Sequence, residues 1–196
     1  MKIDTEHMHH WMNTIRNSTD HKRTLEAFWR GQMLSKEWLI ETITPMITEE
    51  VTIDVHAGWM GTLASMIFCS DIPVKSIQSI DKDPDCQSIA EQMNQMETDS
   101  KRFKAITKDI TRFHSYADVI INTSCEHLTQ ETYDKWLSQL PEKSMLVLQS
   151  TNYEIDEHIR TATSLRHFSE QSHIKVLWEG ELVLPKYSRY MIIGTQ

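Results

Sequence analysis

The sequence is short of cysteine, glycine and proline, and each shortage excludes a class of protein. Its 196 residues include three cysteines, five glycines and five prolines. So little glycine and proline excludes collagen-like and low-complexity chains. Three widely spread cysteines without a CxxC pair argue against both a disulfide framework and a zinc cluster. No apolar run approaches the roughly 18 residues that cross a bilayer, and the polar start at Met1 lacks the core of a signal peptide, so we expect a cytoplasmic protein with no membrane partner.

Positive charge is also scarce. The 20 basic residues are outnumbered by 28 acidic ones, which gives a formal net charge of −8. Binding of nucleic acid through a broad positively charged surface is therefore improbable, and a small-molecule substrate is favoured. Association of the chain with copies of itself stays open.

Residues 1–47 carry a helical pattern. Apolar residues recur at helical spacing in three stretches, and Ser35 is placed to cap the third, which should end near Pro45. We expect two or three helices and no strand, which together form a helical N-terminal cap.

From residue 51 onward, short β-branched runs alternate with helical stretches. Strands are predicted at 51–55, 74–80, 103–106, 117–122, 144–149, 173–184 and 189–194. This alternation predicts a doubly wound, mostly parallel α/β sheet of seven strands over residues 48–196. Only Pro185 to Ser188 separate the last two strands, too few residues for a parallel crossover, so the last strand should run antiparallel.

Ligands of such sheets bind at the carboxyl ends of the strands. The first strand ends in a loop that contains Gly58, whose backbone can approach a ligand closely. Asp81 ends the second strand, 27 residues after Asp54. At this spacing an acidic side chain accepts hydrogen bonds from two ribose hydroxyls.

These residues resemble the motifs of class I S-adenosylmethionine-dependent methyltransferases. The run Asp54 to Met60 is similar to their D-x-G-x-G-x-G loop, Asp81 to their ribose-binding acid, and residues 108–110 to their adenine segment. Residues 122–128 resemble their fourth-strand motif. The combination of residues 28–32, 122–127 and 148–150 also resembles small methyltransferase-like proteins of tailed phages. The resemblance implies a Rossmann-like domain that binds S-adenosylmethionine as its cofactor. The implied cofactor-binding residues are Asp54, His56, Gly58, Trp59, Asp81, Lys82, Asp109, Ile110 and Asn122.

The loop departs from the family pattern at two of its three glycines. His56 stands at the first and Met60 at the third, which leaves Gly58 in register. Side chains at these positions are expected to narrow the approach of the methionine moiety.

The acceptor is expected to meet residues that follow the fourth and fifth strands. His127 is a candidate base and Glu126 a candidate holder of a substrate amine. Their alternatives are that Glu126 caps the next helix and that His127 packs against its neighbour. Alternatives of the same kind are a loop contact for Asn122 and a helix cap for Asp109. The predicted substrate-binding residues are Gln149, Asn152, Tyr153, Trp29 and Lys36.

Together these features predict an S-adenosylmethionine-dependent methyltransferase with a small-molecule acceptor. Another reaction of the same cofactor (aminocarboxypropyl transfer, cyclisation or lyase chemistry) and cofactor binding without turnover remain alternatives, while the missing third glycine opposes a nicotinamide oxidoreductase. We expect no bound metal, because His7, His9 and His10 lack a carboxylate or cysteine at matching spacing. Cys125 is expected to be a buried, inert thiol.

Overall fold

The computed structural model describes residues 2–196 and begins with three helices. These are α1 (Thr5–Asn17), α2 (His21–Glu26) and α3 (Arg30–Ile43), and a 3-10 turn at Thr44–Met46 follows them. Within residues 2–47 no strand is present, as the sequence predicted. The carboxylate of Asp4 caps α1 by accepting from the His7 amide at 2.9 Å.

The prediction that Ser35 caps a helix is wrong. Ser35 is buried inside α3, which begins after Trp29 without a side-chain cap. Ala27 ends α2 as its C-cap residue; it is 1% exposed and packs in a hydrophobic cluster of the first unit described below.

The structure confirms a seven-stranded sheet in the order β3-β2-β1-β4-β5-β7-β6. The pairs β1–β2, β2–β3 and β4–β5 run parallel, and β7 is antiparallel to both β5 and β6. The strands are β1 (Val51–His56), β2 (Val74–Asp81), β3 (Phe103–Thr107), β4 (Val119–Asn122), β5 (Met145–Thr151), β6 (Lys175–Val183) and β7 (Ser188–Thr195). The helices after β1 are α4 (Thr62–Phe68), α5 (Pro84–Met93), α6 (Gln95–Asp99), α7 (Gln130–Leu137) and α8 (Leu165–Ser172).

The chain divides into two compact units. The first ends at Lys108 and contains α1 to α6 with β1 to β3, and the second spans Asp109–Gln196 and contains the remaining elements. The helical cap and the first three strands therefore share one unit. A domain boundary between residues 47 and 48 stays a prediction.

Each unit has its own buried core. In the first, the Trp11 indole donates to the Ser65 hydroxyl at 2.8 Å and thereby docks α1 on α4. In the second, β4, β5 and β7 are buried along nearly their whole length, as expected for strands covered on both faces. None of the helices within residues 2–196 combines the length and apolarity needed to cross a membrane.

Candidate functional site

The loop that follows β1 has an unusual backbone. Ala57 and Trp59 both lie in the left-handed region, with φ of 53° and 49°, although neither is glycine. Gly61, at φ 72°, precedes α4. A left-handed non-glycine residue costs about 1–2 kcal/mol, and such conformations cluster at ligand sites. The strained backbone therefore makes this loop a candidate for a ligand site.

Gly58 is required by a close approach to β2. A Cβ atom at this position would lie 2.0 Å from the Ser79 hydroxyl oxygen and 3.2 Å from the Val55 carbonyl oxygen. The Gly58 amide donates to the Ile80 carbonyl at 3.1 Å. The one glycine that keeps the family register thus holds the loop against the second strand.

Asp81 fastens the same loop from the end of β2. Its Oδ2 accepts from the Trp59 amide at 2.9 Å and its Oδ1 from the Asp83 amide at 3.0 Å. A carboxylate offers about four acceptor positions, so each oxygen retains capacity for one further donor. A partly exposed carboxylate held in this way can accept from two neighbouring hydroxyl groups.

The two side chains that replace family glycines are both buried. Met60 is 1% exposed and packs in the cluster with Ala27, Cys86 and Ile89. His56 is fully buried, and burial lowers its pKa to about 3, so its imidazole is neutral at physiological pH.

The remaining predicted residues of the first unit differ in exposure. Asp54 is buried in β1, while Lys82 is exposed beside Asp81. Trp29 is 72% exposed at the start of α3. Lys36 is buried in α3 and its ammonium donates to the side-chain amide oxygen (Oε1) of Gln32 at 2.8 Å.

In the second unit, two predicted cofactor residues make the contacts with the backbone that the sequence analysis gave as their alternative roles, a helix cap for Asp109 and a loop contact for Asn122. Asp109 Oδ1 accepts from the Thr111 amide at 2.8 Å and caps a 3-10 turn that contains the buried Ile110. Asn122 Oδ1 accepts from the Ser124 amide at 2.9 Å. The Asn122 Nδ2 group is buried and has no hydrogen-bond partner within residues 2–196. A donor of this kind at a strand end is free to bind a ligand oxygen.

A buried ion pair follows β4. Glu126 Oε1 accepts from Arg189 at 2.6 Å, and these side chains are 3% and 10% exposed. The second Arg189 amino group donates to the Thr123 carbonyl at 2.6 Å and to the Gln149 side-chain oxygen at 3.3 Å. The alternative that Glu126 caps the next helix is wrong, because Thr129 caps α7.

The exposed His127 lies against a second histidine, His158. The two ring centroids are 4.8 Å apart and the rings meet edge to face. His127 Nδ1 bonds the Glu157 carbonyl at 3.0 Å, and His158 Nδ1 bonds the Tyr153 carbonyl at 2.6 Å. His127 therefore packs against a residue distant in sequence.

The structure thus brings several acceptor-side predictions together. Arg189 joins Glu126 to Gln149, and His158 joins His127 to Tyr153. Asn152 is occupied in holding the start of β7, since its Oδ1 accepts from the Ser188 amide at 2.7 Å.

Sequence reasoning missed three charged or titratable side chains, Arg160, Arg189 and His158. A signal existed for Arg189, which is a lone charge in the apolar run of β7. Arg160 is buried with its guanidinium 4.1 Å from the centroid of the Tyr133 ring, and it donates to the Cys125 carbonyl at 3.4 Å. Burial raises the pKa of the Cys125 thiol to about 12, which agrees with an inert thiol.

The sheet order, with its antiparallel β7, is the fold of class I S-adenosylmethionine-dependent methyltransferases. Magnesium protoporphyrin IX methyltransferase (ChlM) from Synechocystis PCC 6803, solved with bound SAH, matches with a TM-score of 0.66 and 9% identity, over 98% of this chain and 94% of its own. The pyocyanin biosynthetic protein PhzM matches with a TM-score of 0.65 and 12% identity, over 95% of this chain and 62% of its own. The small RNA methyltransferase HEN1 matches with a TM-score of 0.68 and 13% identity, over 87% of this chain and 26% of its own.

At these identities the likeness concerns the fold. The chain spans less than two thirds of the length of PhzM and about a quarter of HEN1, but nearly all of ChlM. No family model and no curated protein sequence matches the chain. The narrower resemblance to phage proteins gains no support from these comparisons.

Proposed function

We propose that the protein is an S-adenosylmethionine-dependent methyltransferase that acts on a small-molecule acceptor. The observation that carries this proposal is Asp81, a carboxylate at the end of β2 that two backbone amides orient while both oxygens keep acceptor capacity. The strained loop that supplies one of these amides, at Trp59, supports a ligand at the same place. The ChlM structures contain SAM or SAH in the same fold.

The residues present fit this cofactor. Asp81 provides acceptors for the two ribose hydroxyls, and charge-assisted hydrogen bonds of this kind contribute about 1.5–3 kcal/mol. The sequence-based assignment of Asn122 to the cofactor stays a prediction; within its own unit its buried Nδ2 group has no hydrogen-bond partner among residues 2–196. When bound, the cofactor supplies an activated methyl group, so the chain's task is mainly to bind and orient the reactants.

We assign the acceptor to the residues that follow β4 and β5. Glu126 Oε2 has no hydrogen-bond partner within residues 2–196 and is available to a donor group of the acceptor. Its partner Arg189 fixes the orientation of the carboxylate. His127 is exposed and can meet a ligand that arrives from solvent.

The net charge of −8 favours a small acceptor over nucleic acid. The fold itself does not decide between them, since one neighbour is named for a porphyrin substrate and another for small RNA.

The test of the cofactor site is the Asp81→Asn variant, which retains one acceptor oxygen for the loop. Calorimetry with S-adenosylhomocysteine should show an affinity at least about tenfold weaker than that of the unchanged chain, because a charge-assisted bond is lost. The matched control is Asp85→Asn, an exposed acid in the first turn of α5. Equal affinities for both variants would contradict the ribose assignment. Thermal unfolding of each variant separates lost binding from lost structure.

The nucleoside product identifies the reaction. Mass spectrometry of incubations with S-adenosylmethionine and mixtures of small-molecule acceptors should detect S-adenosylhomocysteine with a methylated product. Methylthioadenosine in its place would indicate aminocarboxypropyl transfer, cyclisation or lyase chemistry. Cofactor binding without either product would favour a binding protein.

A further inference from the structure

We propose, against the expectation from the sequence that no metal is bound, that Glu126, His127 and His158 bind one divalent transition-metal ion. One potential ligand atom from each of the three side chains lies within 4.8 Å of the other two. Ligand atoms bound 2.0–2.2 Å from a tetrahedral metal are about 3.4 Å apart, so small side-chain rotations close the site. His158 and its hydrogen-bond partner Tyr153 both lie in the irregular segment between β5 and α8, so this segment can make the small movement with the Nδ1 bond kept.

Both imidazoles are already in the tautomer that a metal requires. His127 Nδ1 and His158 Nδ1 each contact a backbone carbonyl oxygen, which can only accept a hydrogen bond, so Nδ1 carries the proton. Each Nε2 atom then has its lone pair available. Metal-binding histidines commonly donate their second ring nitrogen to a carbonyl in this way, which fixes the tautomer and the ring orientation.

The third ligand is the carboxylate of Glu126. It is 3% exposed, and its Oε2 is buried with no hydrogen-bond partner in the described part of the chain. A buried carboxylate oxygen without a donor calls for an explanation, and a bound cation provides one. Arg189 holds the other oxygen, as the hydrogen-bond partner of a ligating carboxylate commonly does.

The surrounding charges decide the class of metal. Because Arg189 offsets the charge of Glu126, affinity must come from the two imidazole nitrogens. Imidazole suits zinc and its neighbours in the first transition row, whereas magnesium and calcium prefer oxygen ligands throughout. The exposed segment that carries His158 adds negative charge through Glu154, Asp156 and Glu157. Three protein ligands leave at least one coordination position for water or for a ligand, so with the ion bound the acceptor would be held at that position and not by Glu126 Oε2 directly.

The site can be tested without cofactor or turnover, so its failure is distinct from failure of the proposed methyl transfer. The tag-free full chain is stripped with a chelator and dialysed against Zn²⁺, and bound metal is measured by elemental analysis. We expect one zinc per chain. His127→Ala and His158→Ala should each weaken binding by at least about tenfold, and the visible d–d absorption of bound Co²⁺ should disappear with the same substitutions.

Two controls make the outcome decisive. His173→Ala removes an exposed histidine of the same unit that pairs with Asp134, and it should leave zinc affinity unchanged. His9→Ala should also leave it unchanged, since this residue belongs to the N-terminal histidine group. No stoichiometric zinc in the unchanged chain, or affinity that both His127→Ala and His158→Ala retain, would overturn the site. Tighter binding of Mg²⁺ than of Zn²⁺ would overturn the choice of metal. Because His127 is exposed and His158 is partly exposed, both variants should fold, which thermal unfolding checks.

Discussion

The loop after β1 and the cluster after β4 occupy equivalent positions, each at the carboxyl end of a parallel strand, but they are built differently. In the loop, two backbone amides hold the carboxylate of Asp81. One amide, of Asp83, is two residues away in sequence, and the other, of Trp59, follows the neighbouring strand. In the cluster, the side chains of Glu126 and Arg189 hold each other across 63 residues. The first kind of site follows from local sequence pattern. The second depends on the completed fold, so the two should respond differently to substitution.

The largest expected effect is on the side-chain cluster. Arg189→Met leaves the Glu126 carboxylate buried without its partner, which should lower the free energy of unfolding by about 3–5 kcal/mol. Urea unfolding of the chelator-treated protein measures this.

The control restores an apolar pair. Adding Glu126→Leu to Arg189→Met should recover much of the loss, because well-packed apolar side chains often replace a buried ion pair without cost. If Arg189→Met alone lowers the free energy of unfolding by less than about 1 kcal/mol, the side-chain cluster is no more sensitive to substitution than the loop.

A smaller effect is expected in the backbone-built loop. Gly58→Ala places a methyl group 2.0 Å from the Ser79 hydroxyl oxygen, so the loop or β2 must shift. We expect a loss of about 1–3 kcal/mol in unfolding free energy, typical of overpacking. Weaker S-adenosylhomocysteine binding should accompany it, since the Trp59 amide moves with the loop.

Ser79→Ala in the same chain is the matched control. It removes the clashing hydroxyl, so part of the lost stability should return in the double variant. If the Gly58→Ala single variant is as stable as the unchanged chain, the close approach of Gly58 to Ser79 is refuted.

The smallest expected effect at neutral pH concerns His56, inside the first unit. Burial lowers its folded-state pKa to about 3, below the unfolded value of about 6.5. Between these values the unfolded chain binds more protons, so stability is fully present above about pH 6.5 and falls with decreasing pH, by up to about 1.4 kcal/mol per pH unit.

Unfolding measured from pH 7 to pH 4 should therefore show a shallower decline in His56→Asn than in the unchanged chain. His114→Asn, which replaces an exposed histidine, should keep the original slope. If stability falls with pH at the same slope in all three proteins, His56 binds its proton as readily in the folded chain as in the unfolded chain.

The strands were predictable because their signals are local. The run Val51 to Val55 became β1 with one more residue, and the short Pro185 to Ser188 connection correctly required an antiparallel β7. The cap of α5 was also visible: Asp83 accepts from the Asp85 amide and Pro84 opens the helix. Each of these features depends on neighbours in sequence.

The side-chain partners were not predictable for the opposite reason. Nothing in the residues around Glu126 indicates Arg189, and nothing around His127 indicates His158, because these pairs meet only after the chain has folded. The burial of Ala27 between α2 and α3 was unpredictable for the same reason, since it depends on Met60 and Cys86. The roles of the predicted cofactor, catalytic and substrate residues stay predictions.

The place of β7 in the sheet has a consequence for synthesis. It is the last of the described strands along the chain, yet it lies between β5 and β6 and carries the counter-ion of Glu126. On the ribosome, β5 and β6 emerge before the strand that joins them, so the nascent second unit exposes unpaired strand edges until β7 follows. Such species are prone to aggregate. We therefore expect this half of the protein to fold late in translation and to depend on chaperones more than the first half.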